Sequence, residues 1–234
     1  MTLSGRVSAM DDGMTVSIRG MVTQMAVFNI HSDNIANYGM PGYQRKDPVV
    51  TSFAEHLGPN GVDSVTSTEV GRLRLTEQPL DLALNMKGYF QRLNKLGSVE
   101  LSRDGRMQID RQGFLRSMDG KQVLSTSGQP LQLSIIPKDL KKQLSVSSNG
   151  EIHVFDAKSG KMVSQGTIAV ANMNGSLLSD VDVKQGYVED SNVYLAKEFT
   201  SILPLRRQFE ANRQLFIIQS DTMSRMIQEL GRAQ

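Results

Sequence analysis

The stretch from Gly186 to Leu230 constrains the chain more than any other. From Ile202 its hydrophobic positions recur three and four apart: Ile202, Leu205, Phe209, Phe216, Met223, Met226 and Leu230, with polar Asn212 and Gln219 in the same line. Such a period, near 3.5, belongs to a helix that packs along another helix. Phe199 and, before it, Leu195 extend the line upstream, and Ser191 or Asn192 offers a short oxygen-bearing side chain to cap the N-terminus. At ~1.5 Å per residue the helix is roughly 50 Å long, too long for a small core to cover unaided.

A second helix of the same grammar stands at the other end. Met14, Ile18, Met21, Met25, Phe28, Ser32 and Ile35 keep the three-and-four alternation. The pattern predicts a helix over 13–37, starting after Asp11 and Asp12 and stopped by the glycines and proline of 39–42. Residues 1–12 show no usable period and read as a mobile leader. Two readings of the stripes stay open: an antiparallel pair within one molecule, or seams for packing between molecules, with Ser32, Asn212 and Gln219 setting the register.

Between the helices the pattern changes. Residues 47–72 hold Pro48, Pro59 and many Ser and Thr, and read as an extended or partly ordered arm with a short helical turn near 52–57. From 73 to 185 apolar residues alternate with polar ones, as in Met107-Gln108-Ile109 and Ile152-His153-Val154. Turn dipeptides punctuate them: Asp104-Gly105, Asp119-Gly120, Asn149-Gly150, Ser159-Gly160 and Asn174-Gly175. The fold class is therefore α+β: an antiparallel β-rich domain inserted between long N- and C-terminal helices that form a coiled-coil-like stalk. The expected divisions are 1–46, 47–72, 73–185 and 186–234.

The residues argue against several functions. Twenty-six Lys and Arg against 24 Asp and Glu leave no basic footprint for nucleic acid. No stretch approaches a membrane span, and the first thirty residues lack the apolar core of a cleavable signal peptide. There is no cysteine, and the three histidines, His31, His56 and His153, have no ligand partner at metal spacing, so each reads as satisfied or exposed. A nucleophile elbow and phosphate-binding glycine loops are absent from the sequence. Neither a catalytic centre nor a metal or cofactor site is expected. Two rivals to a structural role are a ligand-binding module on a stalk and an enzyme housed in the β-domain.

Residues 29–46, Asn-Ile-His-Ser-Asp-Asn-Ile-Ala-Asn-Tyr-Gly-Met-Pro-Gly-Tyr-Gln-Arg-Lys, resemble the N-terminal signature of bacterial flagellar rod and hook axial proteins, through Asn34, Ile35, Ala36, Asn37, Gly42 and Tyr43. Asp33 stands where the family has Asn, and Met40 where Thr is usual. Residues 79–90, 101–107 and 113–115 are similar to the family's β-domain opening. Gln185-Gly186-Tyr187-Val188-Glu189-Asp190-Ser191-Asn192-Val193 and Arg207-Gln-Phe-Glu-Ala-Asn212 are similar to its C-terminal elements. The blocks occur in the family's order along nearly the whole chain.

The resemblance implies a non-enzymatic axial subunit of the basal-body rod, the drive shaft crossing the periplasm. It implies export unfolded through the flagellar type III apparatus without a cleaved signal. It also implies helical stacking, with both terminal helices lining an inner tube and the β-domain outside. Its partners would be proximal and distal rod proteins and hook and ring components. The short interval from Tyr43 to Tyr89 favours the proximal over the distal type, and the length excludes the outer domains of a hook protein. The stripe residues of both helices are then assembly seams. Gly186, Glu189, Ser191, Asn192 and Val193 lead into the C-terminal helix.

Overall fold

The computed structural model describes residues 3–51, 61–137 and 139–232, with the side chains of 3–12 and of Leu230 outside the description. The described chain forms two compact units, one of residues 1–38, 45–67 and 193–234, the other of 39–44 and 68–192.

The first unit holds two long helices, α1 (Leu3–Ala36) and a C-terminal helix spanning Leu195–Arg232. Helix α1 begins about three turns before the expected start. The stretch before Gly13 lacks a period but also lacks proline, and adding a residue to an existing helix costs little. Between the helices in sequence, β1 (Lys46–Val50) and β2 (Val62–Thr66) pair antiparallel, Lys46 opposite Thr66 and Val50 opposite Val62. Residues expected as an arm are thus a hairpin; Pro48 and the Ser/Thr content hid it, but β1 is an edge strand, where proline is tolerated. The helical turn expected at 52–57 lies outside the described residues.

The second unit is built from antiparallel strands. In order they are β3 (Leu73–Leu75), β4 (Leu82–Leu84), β5 (Tyr89–Leu93), β6 (Val99–Ser102), β7 (Met107–Ile109), β8 (Leu115–Ser117) and β9 (Gln122–Val123). The one-turn helix α2 (Leu140–Gln143) precedes β10 (Leu144–Val146), β11 (Glu151–Asp156), β12 (Lys161–Thr167), β13 (Val170–Ala171), β14 (Val183–Gln185) and β15 (Tyr187–Glu189). The long C-terminal helix is α3. Arg92 of β5 pairs with both Glu100 and Val123, so β6 and β9 flank β5 on opposite edges. The sheet continues through β8 to β7, and β10, β11 and β12 form a separate meander. Leu82, Leu84, Phe90, Leu115, Val123, Ile152, Val154, Ile168 and Val170 close one apolar core. Antiparallel strands occupy the stretch where alternation predicts them, and a further strand, β15, lies beyond residue 185 at Tyr187–Glu189.

Two details differ from expectation. Asp104-Gly105 is not a positive-φ turn; a β-carbon at Gly105 would fall 1.8 Å from the Leu82 carbonyl oxygen and 2.7 Å from the Phe90 ring, so close packing requires the glycine. Residues 186–193 are not helical. Gly186 turns at φ 80°, and Tyr187–Glu189 pairs with β3. The backbone N–H groups of Lys197 and Glu198 bond to the Tyr194 carbonyl, and the Asn192 amide donates to Glu69 O (2.8 Å).

Candidate assembly interface

Helices α1 and α3 pack along each other within the first unit. Their direction follows from three facing positions: a β-carbon at Gly13 would meet the Gln219 side chain, one at Gly20 would meet Asn212, and Asn34 lies against Glu198. The pair is antiparallel, and the three positions advance by heptads on each helix. The α1 residues facing α3 are Gly13, Ser17, Gly20, Gln24, Val27, His31 and Asn34, all buried or half-buried. This line is small and polar. Gly13 and Gly20 let the backbones approach, and Asn212 and Gln219 reach into the space they leave.

On α3 the half-buried line is Ile202, Leu205, Phe209, Asn212, Phe216, Met223 and Met226, the residues of the expected seam. Leu230 lies outside the described side chains. Phe199 lies outside this line: it is 55% exposed, because Glu198 takes the position beside it.

The expected seam of α1 is displaced by one residue from the line that faces α3. Met14, Ile18, Met21, Met25, Phe28 and Ile35 each follow a seam residue by one, about 100° further round the helix. Met25 is 53% and Phe28 43% exposed. Phe199, Leu203, Ile217 and Ile227 likewise follow seam residues of α3 by one and are exposed. In an antiparallel pair of right-handed helices, those two flanks fall on the same side. Among the described residues the pair therefore leaves Ile18, Met25 and Phe28 of α1 exposed on the same side as those four residues of α3, with Met14, Met21 and Ile35 half-buried along the line. Isolated exposed apolar residues are ordinary; a periodic line of them on two adjacent helices marks an interaction surface.

One end of the pair is clasped. Glu198 is 1% exposed and accepts from His31 Nδ1 (2.6 Å) and Asn34 Nδ2 (3.2 Å), with Arg45 Nη1 3.6 Å away. Arg45 also binds Asp47 (2.7 Å). Asn34 exchanges two bonds with the backbone of Lys46, donating to its carbonyl and accepting from its N–H. So α1, α3 and the start of β1 meet on a single carboxylate.

The turn motif divides between the units. Asn37 donates to the Asp33 carbonyl at the end of α1, and Ala36 is exposed. Gly42, at φ 69°, donates to Glu189 O; a β-carbon there would lie 2.4 Å from Asp104 N. Tyr43 O accepts from Asn192 N–H. Glu189 is held by Arg103 Nε and Nη2 (2.7 and 2.6 Å) and by Gly71 N–H. Burial pushes its carboxyl above the ordinary range, and the guanidinium pulls it back. Arg103 spends its other donors on the carbonyls of Leu84, Met86 and Gly88. Val193 is buried. Gly186, Glu189 and Asn192 belong to the β-unit, and Val193 to the helical unit.

Among the described residues no cluster of His, Asp or Glu is placed to hold a metal, and no helix is long and apolar enough to cross a membrane. His31 is satisfied by Glu198, a partner invisible in the sequence; His153 lies 3.6 Å from Glu151, and His56 is outside the described residues.

Two family models match the chain: the flagellar hook protein FlgE/F/G D1 domain over residues 83–154, and the flagellar basal body rod FlgEFG protein C-terminal region over 184–229. The flagellar basal-body rod protein FlgF of Rhizobium meliloti is 25% identical, the match covering 95% of this chain and 99% of that protein. FlgF of Caulobacter vibrioides is also 25% identical, with the same coverage. The flagellar basal-body rod protein FlgG of Bacillus subtilis is 26% identical over 90% of this chain and 96% of its own length.

Proposed function

We propose, from the premise that this chain belongs to the flagellar basal-body rod protein family, that it builds the proximal part of the rod by packing helices between subunits. The family is structural, not enzymatic; its place is the basal body, and it assembles with other rod and hook components. Within that frame the chain is an axial subunit that transmits torque and lines the export channel across the periplasm. Its neighbours are proximal and distal rod proteins, with hook and ring components at the ends, and it reaches them through the type III apparatus without signal cleavage. The short interval between Tyr43 and Tyr89 supports the proximal type over the distal one.

The exposed apolar face of the α1–α3 pair carries this reading. Its α1 line repeats by heptads from Met14 to Ile35, and α1 and α3 are the long helices of the described chain, already paired with each other. A third helix that covers the face comes from another subunit. The seam of α3 serves a separate purpose. It closes the molecule's own helix pair, and only a closed pair presents the face.

The test is incorporation. Met25→Asp and Phe28→Asp leave the far-ultraviolet circular dichroism of the purified protein unchanged and prevent its recovery in isolated basal bodies. Normal incorporation of both variants would remove the face from assembly. Labelling the chain in intact basal bodies reads its axial position, and a signal at the hook-proximal end would overturn the proximal assignment.

A further inference from the structure

The turn between β5 and β6 carries a leucine that nothing in its own unit covers. Leu96 is 93% exposed, yet its backbone is firmly held. The Asn94 side-chain oxygen accepts from the N–H groups of Leu96 (2.9 Å) and Ser98 (3.0 Å), and its amide donates to Ser98 Oγ and Glu100. Asn94 and Ser98 also bond through their backbones, and Gly97 completes the turn at φ 80°. The side chain is presented on a fixed support, so docking it orders little that is not already ordered.

The same unit holds a cleft of about 480 Å³, lined by Pro79, Leu80, Met107, Ile109, Ile136 and Leu140 among others. Ile136 stands half exposed at its wall. The knob and the cleft share no residue. They also belong to different margins of one sheet: Leu96 joins β6 to β5, and the cleft borders β7 at the end of the strand order. Charge matches as well. Lys95 is exposed beside Leu96, while Asp81 lines the cleft; it takes a hydrogen bond from the neutral Thr76 hydroxyl (2.7 Å), and the Arg106 guanidinium it also faces is already bound to Asp104.

We propose that Leu96 of one copy docks into the Pro79–Met107–Ile136 cleft of a second copy, with Lys95 set beside Asp81. Because the two surfaces differ, the contact is head-to-tail; repeated, it builds a ring where the rotation closes and an open helical array where it does not. This deepens the rod-subunit reading by adding a contact between β-units, independent of the helices.

The chain has no cysteine, so engineered thiols cross-link only where they are placed. Leu96→Cys and Ile136→Cys are made separately in the full chain. Both positions are exposed, and each variant is expected to keep the parent's melting curve. On oxidation, a one-to-one mixture forms a disulfide-linked dimer that is lost when either variant is oxidised alone, and the double variant forms a ladder of multimers. Adding Lys95→Glu to the mixture lowers the dimer yield. Equal dimer in the single variants and the mixture, or no dimer in the mixture, would overturn the proposal. The measurement uses purified protein, so it stands or falls separately from the basal-body test of the helix face.

Discussion

Arg103 and Glu189 lie in an interior that leaves neither side chain more than 2% exposed, and each finds all its partners there. Removing one partner strands the other. Arg103→Met is expected to cost about 3–5 kcal/mol, read as a fall in the urea midpoint of unfolding. Glu198 is as deeply buried in the helical unit, but only one of its oxygens is hydrogen-bonded among the described residues; Oε1 has Arg45 at 3.6 Å. Glu198→Gln keeps acceptors for His31 and Asn34, whereas Glu198→Ala removes them all. Faster hydrogen exchange over residues 27–36 is expected for the alanine variant, with only a small change for glutamine. A result in which the two variants exchange alike would mean that packing, not the carboxyl oxygens, holds this end.

Helix α3 runs unbroken through Pro204, which sits in its interior and is exposed. The first-turn position that would excuse a proline is nine residues earlier, so the helix bears a missing donor there. Pro204→Ala should strengthen it by up to about 3 kcal/mol, seen as slower exchange over 200–208. Gly20 tests the pairing itself. Gly20→Ala needs only the tip of Asn212 to turn aside, and it gains helix propensity; Gly20→Leu is expected to drive the helices apart and expose both to exchange. These elements show what could be read from residues alone. The α3 seam was legible because its residues are apolar and periodic. The facing line of α1 was not, because glycine, serine and asparagine carry no hydrophobic signal, and the apolar line one position on stands out instead. Residues 186–192 looked like a helix start because Glu-Asp-Ser-Asn is capping chemistry, although Arg103 claims the glutamate. Glu198 lies 167 residues from His31 and 164 from Asn34, a distance no local pattern spans.

At the scale of the molecule, the two units differ in what holds them. The β-unit closes a core whose largest members are fully buried; the helical unit buries little beyond Val27, Ser17, and the residues around Glu198. Amides in the strands around Phe90, Val123, Ile152 and Val170 are therefore expected to be the last to exchange in the purified protein, and those of both long helices among the first. Faster exchange in the strands than in the helices would contradict this. The clasp also bears on how the two helices find their alignment. Sliding α3 by one heptad along α1 would bring Glu198 opposite aliphatic Val27 and away from imidazole, amide and guanidinium alike. Wrong alignments are penalised by a stranded charge, so the folding pair has one alignment in which to come to rest.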